Sequence, residues 1–410
     1  MTFPLPLETL LGKPLMYLIF GIIGFGFGFV LEISGFGDSR KLAAQFYFKE
    51  MTVLKVMFTG IVVAMVLIFI MAGLGILDYN QVWVNPTYLW SGIVGGLIMG
   101  VGFIVGGFCP GTSLVSAATL KLDGVFFVIG GLTGIFLFGE TVGLYEEWWN
   151  GSYFGRLTIM DWLNAPTGIV VVGLVLMALF MFWGSEQLEH IFGKHDLKKE
   201  PRVRLAAAGA LLLGAIAVLF IGTPDTADKW VRLSPQKEPL LSERQVQIHP
   251  GELLTSMADD RLRVIMLDVR PENDYNLFHI EGAINVTPEE LLPLTRDLIA
   301  STAANNVYVV MGNEEAAATE AWKIMVAESV PNVYILEGGI NGWLHTFATE
   351  EAEIAPTPSP SGTDALGFTF PAALGSRYEA SFPSIHEWEL EFTPKIKLQI
   401  QRDKSGGGCG

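Results

Sequence analysis

The sequence predicts a polytopic α-helical membrane bundle of about six glycine-rich spans, with broken helices, followed by a soluble α/β domain with a central parallel sheet. Half of the 410 residues are hydrophobic and only 17% are charged, too few to cover a water-soluble body of this length. Charge is unevenly placed: residues 1–232 hold 14 Lys and Arg against 16 Asp and Glu, whereas residues 233–410 hold 12 against 26. Past residue 240, short apolar runs alternate with helical stretches, the order of strands joined by crossover helices. The acidic second half argues against nucleic acid as a partner. Two cysteines, Cys109 and Cys409, exclude a multi-bridge disulfide scaffold.

Crossing about 30 Å of hydrocarbon takes roughly 20 helical residues. Apolar stretches cover 14–33, 53–77, 88–108, 125–138, 166–184 and 205–222. The fourth is short enough to be tilted, broken or partly re-entrant. The first has no small-residue cleavage site after a basic n-region and reads as a retained span. Arg40, Lys41 and Lys49 follow the first span, and Lys194, Lys198, Lys199, Arg202 and Arg204 follow the fifth, so those loops are expected to be cytoplasmic. The loop around Asp78 has no Lys or Arg, and Arg156 is alone between Glu140 and Asp161. An even number of spans then puts both termini outside, with residues 223–410 periplasmic in a bacterial inner-membrane protein.

Glycine crowds the spans: Gly24, Gly26 and Gly28 in the first, then Gly92, Gly96 and Gly100 at four-residue spacing, then Gly102, Gly106 and Gly107. Small residues spaced this way let helix backbones touch, for packing or for dimerisation. Chemistry enters at Gly107-Phe108-Cys109-Pro110-Gly111-Thr112-Ser113. Pro110 ends one helix and suits the first turn of the next, so the segment predicts a broken helix whose new N-terminus offers N–H groups to an anion. Cys109 puts a polarisable thiol there, and Thr112 and Ser113 supply caps or hydroxyls; an inert buried thiol is the alternative. Gly35-Phe36-Gly37-Asp38-Ser39 echoes Gly107-Phe108-Cys109, with Gly37 in the cysteine's place, and duplicated broken segments are common in transporters. Arg40 and Lys41, which follow, either attract an anion or serve only as a topology signal.

The run from Gly35 through Arg40 and Lys41 to Tyr47, then 51–58, then Gly107 to Ser113 with Lys121-Leu122-Asp123, resembles the YeeE/YedE sulphur-transport family over about residues 15–185. The resemblance implies import of thiosulfate or a related sulfur species, with pore cysteines handling the sulfur. This chain has a single membrane cysteine and a smaller bundle than the longer members, which implies a homo-oligomer or a partner membrane subunit to complete the path.

Composition turns polar at Thr223, and a Pro-containing linker is expected over 223–239. Residues 264–270, 307–310 and 333–336 read as buried strands, with helices over 288–300 and 316–328. Leu267-Asp268-Val269-Arg270, Phe278-His279-Ile280-Glu281-Gly282-Ala283 and Leu336-Glu337-Gly338-Gly339-Ile340-Asn341-Gly342-Trp343 together resemble a rhodanese domain across about 240–348. Rhodaneses hold sulfane sulfur on a cysteine that begins the loop before a helix N-terminus. Here the loop reads Met311-Gly312-Asn313-Glu314-Glu315-Ala316, with Met311 in the cysteine's position and two added negative charges. A thioether forms no persulfide, so no catalytic residue is assigned. Asp268 and Arg270 are expected to support the cleft formed with this loop, and His279 to be structural.

Residues 349–403 are expected to be a Pro-rich linker with a short strand near 395–400, and 404–410 a glycine arm carrying Cys409. The ending resembles the Gly-Gly-Cys-Gly arm of the SoxY sulfur carrier. These features lead to an importer, within a membrane domain over 1–222, whose extracytoplasmic rhodanese-like domain is not catalytic and whose arm captures or delivers sulfur. Two alternatives are a membrane-anchored sulfurtransferase using Cys409 and a docking or sensor protein for a periplasmic sulfur carrier. The sequence has no metal cluster, phosphate loop or dinucleotide fingerprint, so no cofactor is expected.

Overall fold

A computed structural model describes residues 3–398 apart from 6, 194–202, 302, 304, 350, 358–363 and 389. The chain divides into one unit that ends at Thr223 and another that begins at Pro224. The first contains α1 (Leu7–Ile33, interrupted at Gly12), α2 (Ser39–Ala44), α3 (Thr52–Gly73), α4 (Leu89–Gly106), α5 (Pro110–Ala118) and α6 (Leu122–Thr141). Short helices α7 (Glu146–Asn150) and α8 (Ile159–Leu163) precede α9 (Thr167–Phe192) and α10 (Val203–Ile221). Among the described residues, six helices are long and apolar enough to cross a membrane, with α4 and α5 counted together as one span.

The fourth span is not short. Helix α6 has 20 residues, about 30 Å at 1.5 Å per residue, which matches the hydrocarbon thickness without a break. Its polar ends, Asp123 and Glu140, hid its length in the sequence because both lie inside the helix.

Helices α3, α9 and α10 pack around Val66, Phe69, Val171, Val175, Ala215 and Val218. Gly168 lets α9 approach α10 so closely that a Cβ there would lie 2.7 Å from Leu219 Cα. At one end of this trio the buried Glu189 of α9 accepts the Met51 N–H at the start of α3 and pairs with Lys55. It thereby satisfies one of the N–H groups that a helix start leaves open. Of the glycines expected to support close packing in the first and third spans, Gly106 and Gly107 do so, with a Cβ on them 2.4 Å from Phe127 and 2.9 Å from Ser39 O, and the rest do not among the described residues. A Cβ on Gly24, Gly26, Gly28, Gly92, Gly96, Gly100 or Gly102 would meet no atom within 4 Å.

The second unit contains α11 (Thr226–Ser242), β1 (Gln247–Ile248), α12 (Pro250–Met257), β2 (Arg263–Asp268), α13 (Glu272–Leu277), β3 (Ile284–Asn285), α14 (Pro288–Ser301) and β4 (Asn306–Met311). Then come α15 (Ala316–Ala327), β5 (Val333–Leu336), α16 (Gly339–Phe347), β6 (Ala355–Pro356) and β7 (Phe368–Thr369). Five strands form a parallel sheet in the order β1-β5-β4-β2-β3. The central strand β4 is buried at every position, which explains its unbroken apolar run Val307-Tyr308-Val309-Val310-Met311.

Residues 223–239 hold most of a helix where a linker was expected. Asp225 caps α11 by accepting the Asp228 N–H at 2.7 Å, and Trp230, Leu240 and Leu241 pack on the sheet's α14–α15 face. Pro235 and Pro239 lie inside α11, so packing outweighs their helix-breaking tendency. The described residues between 349 and 398 likewise form a layer over the α12–α16 face, where Phe368, Phe370, Trp388 and Leu390 pack against the core and Tyr378 is buried in it. The indole N–H of Trp343 donates to Ala380 O at 2.7 Å.

The strand expected near 395–400 is absent over its described part. The N–H groups of Lys395 and Ile396 donate to the Glu252 carboxylate (2.6 and 2.7 Å), and that of Lys397 donates to the Tyr334 hydroxyl (2.8 Å). The sheet's edge strand β1 is only two residues long, too short to template a ladder.

Ending the chain after Ala348 is expected to strip Ile354, Tyr378 and Ala380 from the core and leave the Trp343 N–H unpaired. The loss, roughly 5 kcal/mol or more, is enough to unfold a marginal domain. Circular dichroism melts of the two chain lengths check this; equal midpoints contradict it.

Candidate functional site

Helix α4 stops where Gly107 turns left-handed (φ 71°) and its N–H bonds to Phe103 O at 2.9 Å. Phe108 is buried, and Cys109 is the extended N-cap of α5. The Cys109 sulfur accepts the Thr112 N–H (3.4 Å), and the Thr112 hydroxyl oxygen accepts the Cys109 N–H (3.0 Å). This is a capping box in which a thiol stands where serine is usual. Pro110 occupies the first helical position, where no N–H is needed. The Ser113 hydroxyl donates to Pro110 O at 2.8 Å. The N–H of Gly111 has no partner among the described residues. Cys109 itself is a free, half-buried thiol.

Spacing along α5 puts Cys109, Thr112, Ser113 and Ser116 on one helix face. The three hydroxyl residues are buried, and the Ser116 hydroxyl has no partner. Gly124 of α6 makes room for it, since a Cβ there would lie 2.5 Å from Ser116 Oγ. Sequence reasoning missed Ser116, although its position seven residues after Cys109 was the available signal.

The two echoing segments meet. Phe36 and Phe108 share one buried cluster with Leu42 and Val53. A Cβ on Gly107 would lie 2.9 Å from Ser39 O. Asp38 caps α2 by accepting the Arg40 N–H at 3.0 Å, and the Ser39 hydroxyl donates to Asp123 at 3.2 Å. A side chain on Gly37 would collide with the Glu32–Lys121 ion pair, whose charged atoms are 3.1 Å apart. The Lys41 ammonium donates to Ser34 O at 2.8 Å, so the loop takes up its charge locally. Arg40 is exposed and pairs with no described carboxylate.

In the soluble unit, Met311 is the last residue of β4 and fully buried in the core, so it does not begin the loop or line a cleft. The strand continues one residue further than the motif suggested, and the loop starts at Gly312. A Cβ on Gly312 would point at both carboxylate oxygens of Asp364, each 3.0 Å away. Asp364 accepts the Glu314 N–H at 2.6 Å, and its carbonyl accepts from the Asn313 side chain at 3.0 Å. The Asp364 carboxylate therefore sits against the loop before α15.

Asp268 and Arg270 also lie in the interior. Both side chains are fully buried, with Nη2 donating to Asp268 Oδ2 at 2.7 Å and to Phe278 O at 2.6 Å. Arg270 Nη1 reaches Asn313 Oδ1 at 3.3 Å, and the Asn313 amide donates to Asp274 at 2.7 Å. The pair is thus a strut under the loop.

Glu315, ahead of Ala316, accepts two hydrogen bonds from Arg244 (2.7 and 3.1 Å) and one from the Gly338 N–H (2.9 Å). Burial pushes its carboxyl up, but these donors outweigh burial and hold it below the usual range. His279 stacks on Tyr275 at 3.8 Å and donates to Tyr275 O at 2.8 Å, a structural role. Cys409 lies outside the described residues.

The membrane unit thus carries a hydroxyl-lined helix break, and the α/β unit a loop that begins at Gly312. Residues 34–232 match the family described as sulphur transport, and residues 249–346 match the rhodanese-like domain. Comparison with curated proteins and with solved structures gave no match. The protein is a multi-pass membrane transporter of sulfur species. Its membrane half matches the sulphur-transport family, YeeE/YedE, and is fused to a rhodanese-like domain.

Gly107→Ala is expected to cost about 1–3 kcal/mol through left-handed strain and the Ser39 contact, whereas Gly100→Ala is near neutral. Thermal unfolding in detergent checks the contrast, and equal midpoints contradict it. Asp364→Ala is expected to speed hydrogen exchange of the Glu314 amide about tenfold, for roughly one lost charge-assisted bond. Unchanged exchange at Glu314 would show that Asp364 does not hold the loop.

Proposed function

We propose that the protein imports thiosulfate or a related sulfur-containing ion across the bacterial inner membrane. The observation that carries this reading is the Cys109 thiol beside the unbonded Gly111 N–H at the break between α4 and α5. A thiol and helix-start N–H groups stabilise a soft anion without a fixed charge, which costs about 3 kcal/mol at mid-bilayer. Thr112, Ser113, Gly37, Asp38 and Ser39 complete the path, with Arg40 as an exposed cation at its end. The glycine faces of α1 and α4, open within one chain, suit a second copy or a partner membrane subunit.

The soluble unit is periplasmic and not catalytic, and the Cys409 arm captures or delivers sulfur. Support for this orientation comes from Arg40, Lys41 and Lys49 on one loop and Lys194 to Arg204 on another. A second reading, docking of a periplasmic sulfur carrier by the rhodanese-like domain, is favoured by the Asp364 carboxylate held against its loop.

Uptake of sulfur-35 thiosulfate into cells lacking other importers tests the proposal. At matched expression, Cys109→Ala is expected to lower uptake at least about tenfold, as loss of a central contact does, and Cys409→Ala to lower it further. No uptake by the wild type would remove thiosulfate as substrate. A membrane-impermeant maleimide that labels Cys409 only after cell lysis would reverse the orientation.

A further inference from the structure

The turn between α1 and α2 rests on the break that carries Cys109. Ser39, the first residue of α2, is engaged from two sides. A Cβ on Gly107 would lie 2.9 Å from its carbonyl oxygen, and its hydroxyl donates at 3.2 Å to Asp123, in the first turn of α6. Phe36, in the same turn, is buried in one cluster with Phe108, the neighbour of Cys109.

A second tie reaches the same end of α6. Glu32, at the end of α1, accepts at 3.1 Å from the ammonium of Lys121, the N-cap of α6. This pair lies directly on Gly37, where a Cβ would stand 2.8 Å from Lys121 Nζ and closer still to Glu32 Oε2. In the echo between the two breaks Gly37 has the cysteine's place, so the space that a side chain would take there is filled by an ion pair. The turn also bonds to itself. Lys41 donates to Ser34 O at 2.8 Å, Asp38 accepts the Arg40 N–H at 3.0 Å, and Gly35 is left-handed (φ 76°).

The segment is therefore a preformed unit fastened to α6 by two side-chain contacts. The side chains of Glu32 and Lys121 are 39% and 42% exposed, and an ion pair so placed contributes little and opens readily. The Glu189–Lys55 tie between α9 and α3, by contrast, has a buried carboxylate. Packing of Phe36 on Phe108 makes the closed arrangement the resting one, and the exposed pair sets how often it opens.

We propose that the α1–α2 turn is a gate over Cys109 and that the Glu32–Lys121 pair is its latch. When the pair parts, Ser39 can withdraw from Gly107 and the break opens to solute. The part this gate plays in transport rests on the reading of Cys109 as a point on the sulfur path.

The test is the rate at which N-ethylmaleimide alkylates Cys109 in the full chain in nanodiscs, read by mass spectrometry of the peptide that contains it. Glu32→Gln and Lys121→Gln are each expected to speed alkylation about three- to fivefold, the scale of an exposed pair. Combining Glu32→Lys with Lys121→Glu is expected to restore the rate to within about twofold of wild type, because the pair is remade with its charges exchanged. An electrostatic influence on the thiol without a gate would move the two single variants in opposite directions, since one removes a negative and the other a positive charge. Opposite shifts, unchanged alkylation in either single variant, or an exchanged pair that behaves like the single variants would overturn the latch. No substrate is present in this measurement, so a wild type that fails to take up thiosulfate would remove the import reading and leave the gate to be judged by alkylation.

Discussion

Inside a membrane no water is available to a backbone group released from its helix, so protein must pair it. That requirement organises the region around Gly107 and Pro110. The break frees donors and acceptors, and nearly every nearby residue has a part in satisfying them. Gly107 closes α4 with a left-handed cap, proline removes one donor, Thr112 and Cys109 cap each other, and Ser113 returns a bond to Pro110. Ser39 and Gly124 complete the enclosure from α2 and α6 by close approach, which explains glycine at 107 and 124. The Gly111 N–H and the Ser116 hydroxyl have no partner among the described residues.

The soluble unit depends on a different pairing. Arg270 and Asp268 are both fully buried, a costly arrangement unless every hydrogen-bonding position is met. Here the guanidinium bonds Asp268, Phe278 O and Asn313. The strut reaches the loop through Asn313, and the residue beyond it is held by Asp364. The buried pair thus positions the loop from beneath, while Asp364 holds it from the other chain segment.

Most of the architecture was legible in the sequence, because span length and strand alternation are strong local signals. The broken third span followed from Pro110, and the parallel sheet from runs such as 307–310. Two of the misjudged elements involve residues whose local tendency was overruled by distant partners. Pro235 and Pro239 signalled a linker, yet α11 is held by Trp230 against Trp322, with ring centres 6.0 Å apart. The run 395–398 alternated like a strand, but Glu252, 143 residues earlier, took its N–H groups. Met311 looked like a loop residue because the motif marks a position, not where the strand ends. Asp364 gave no sign at all, since an acidic residue after a Pro/Ser stretch is ordinary until its neighbours are known.

The Glu189 contact carries a consequence for biogenesis. This carboxylate, on the fifth span, binds the start of the second, 138 residues earlier in the chain. As the chain emerges, α3 enters the bilayer with its first N–H groups and Lys55 still turned to headgroup water. It stays so until α9 has been synthesised. The early hairpin is therefore a provisional inhabitant of the membrane, and the arrival of α9 fixes its depth.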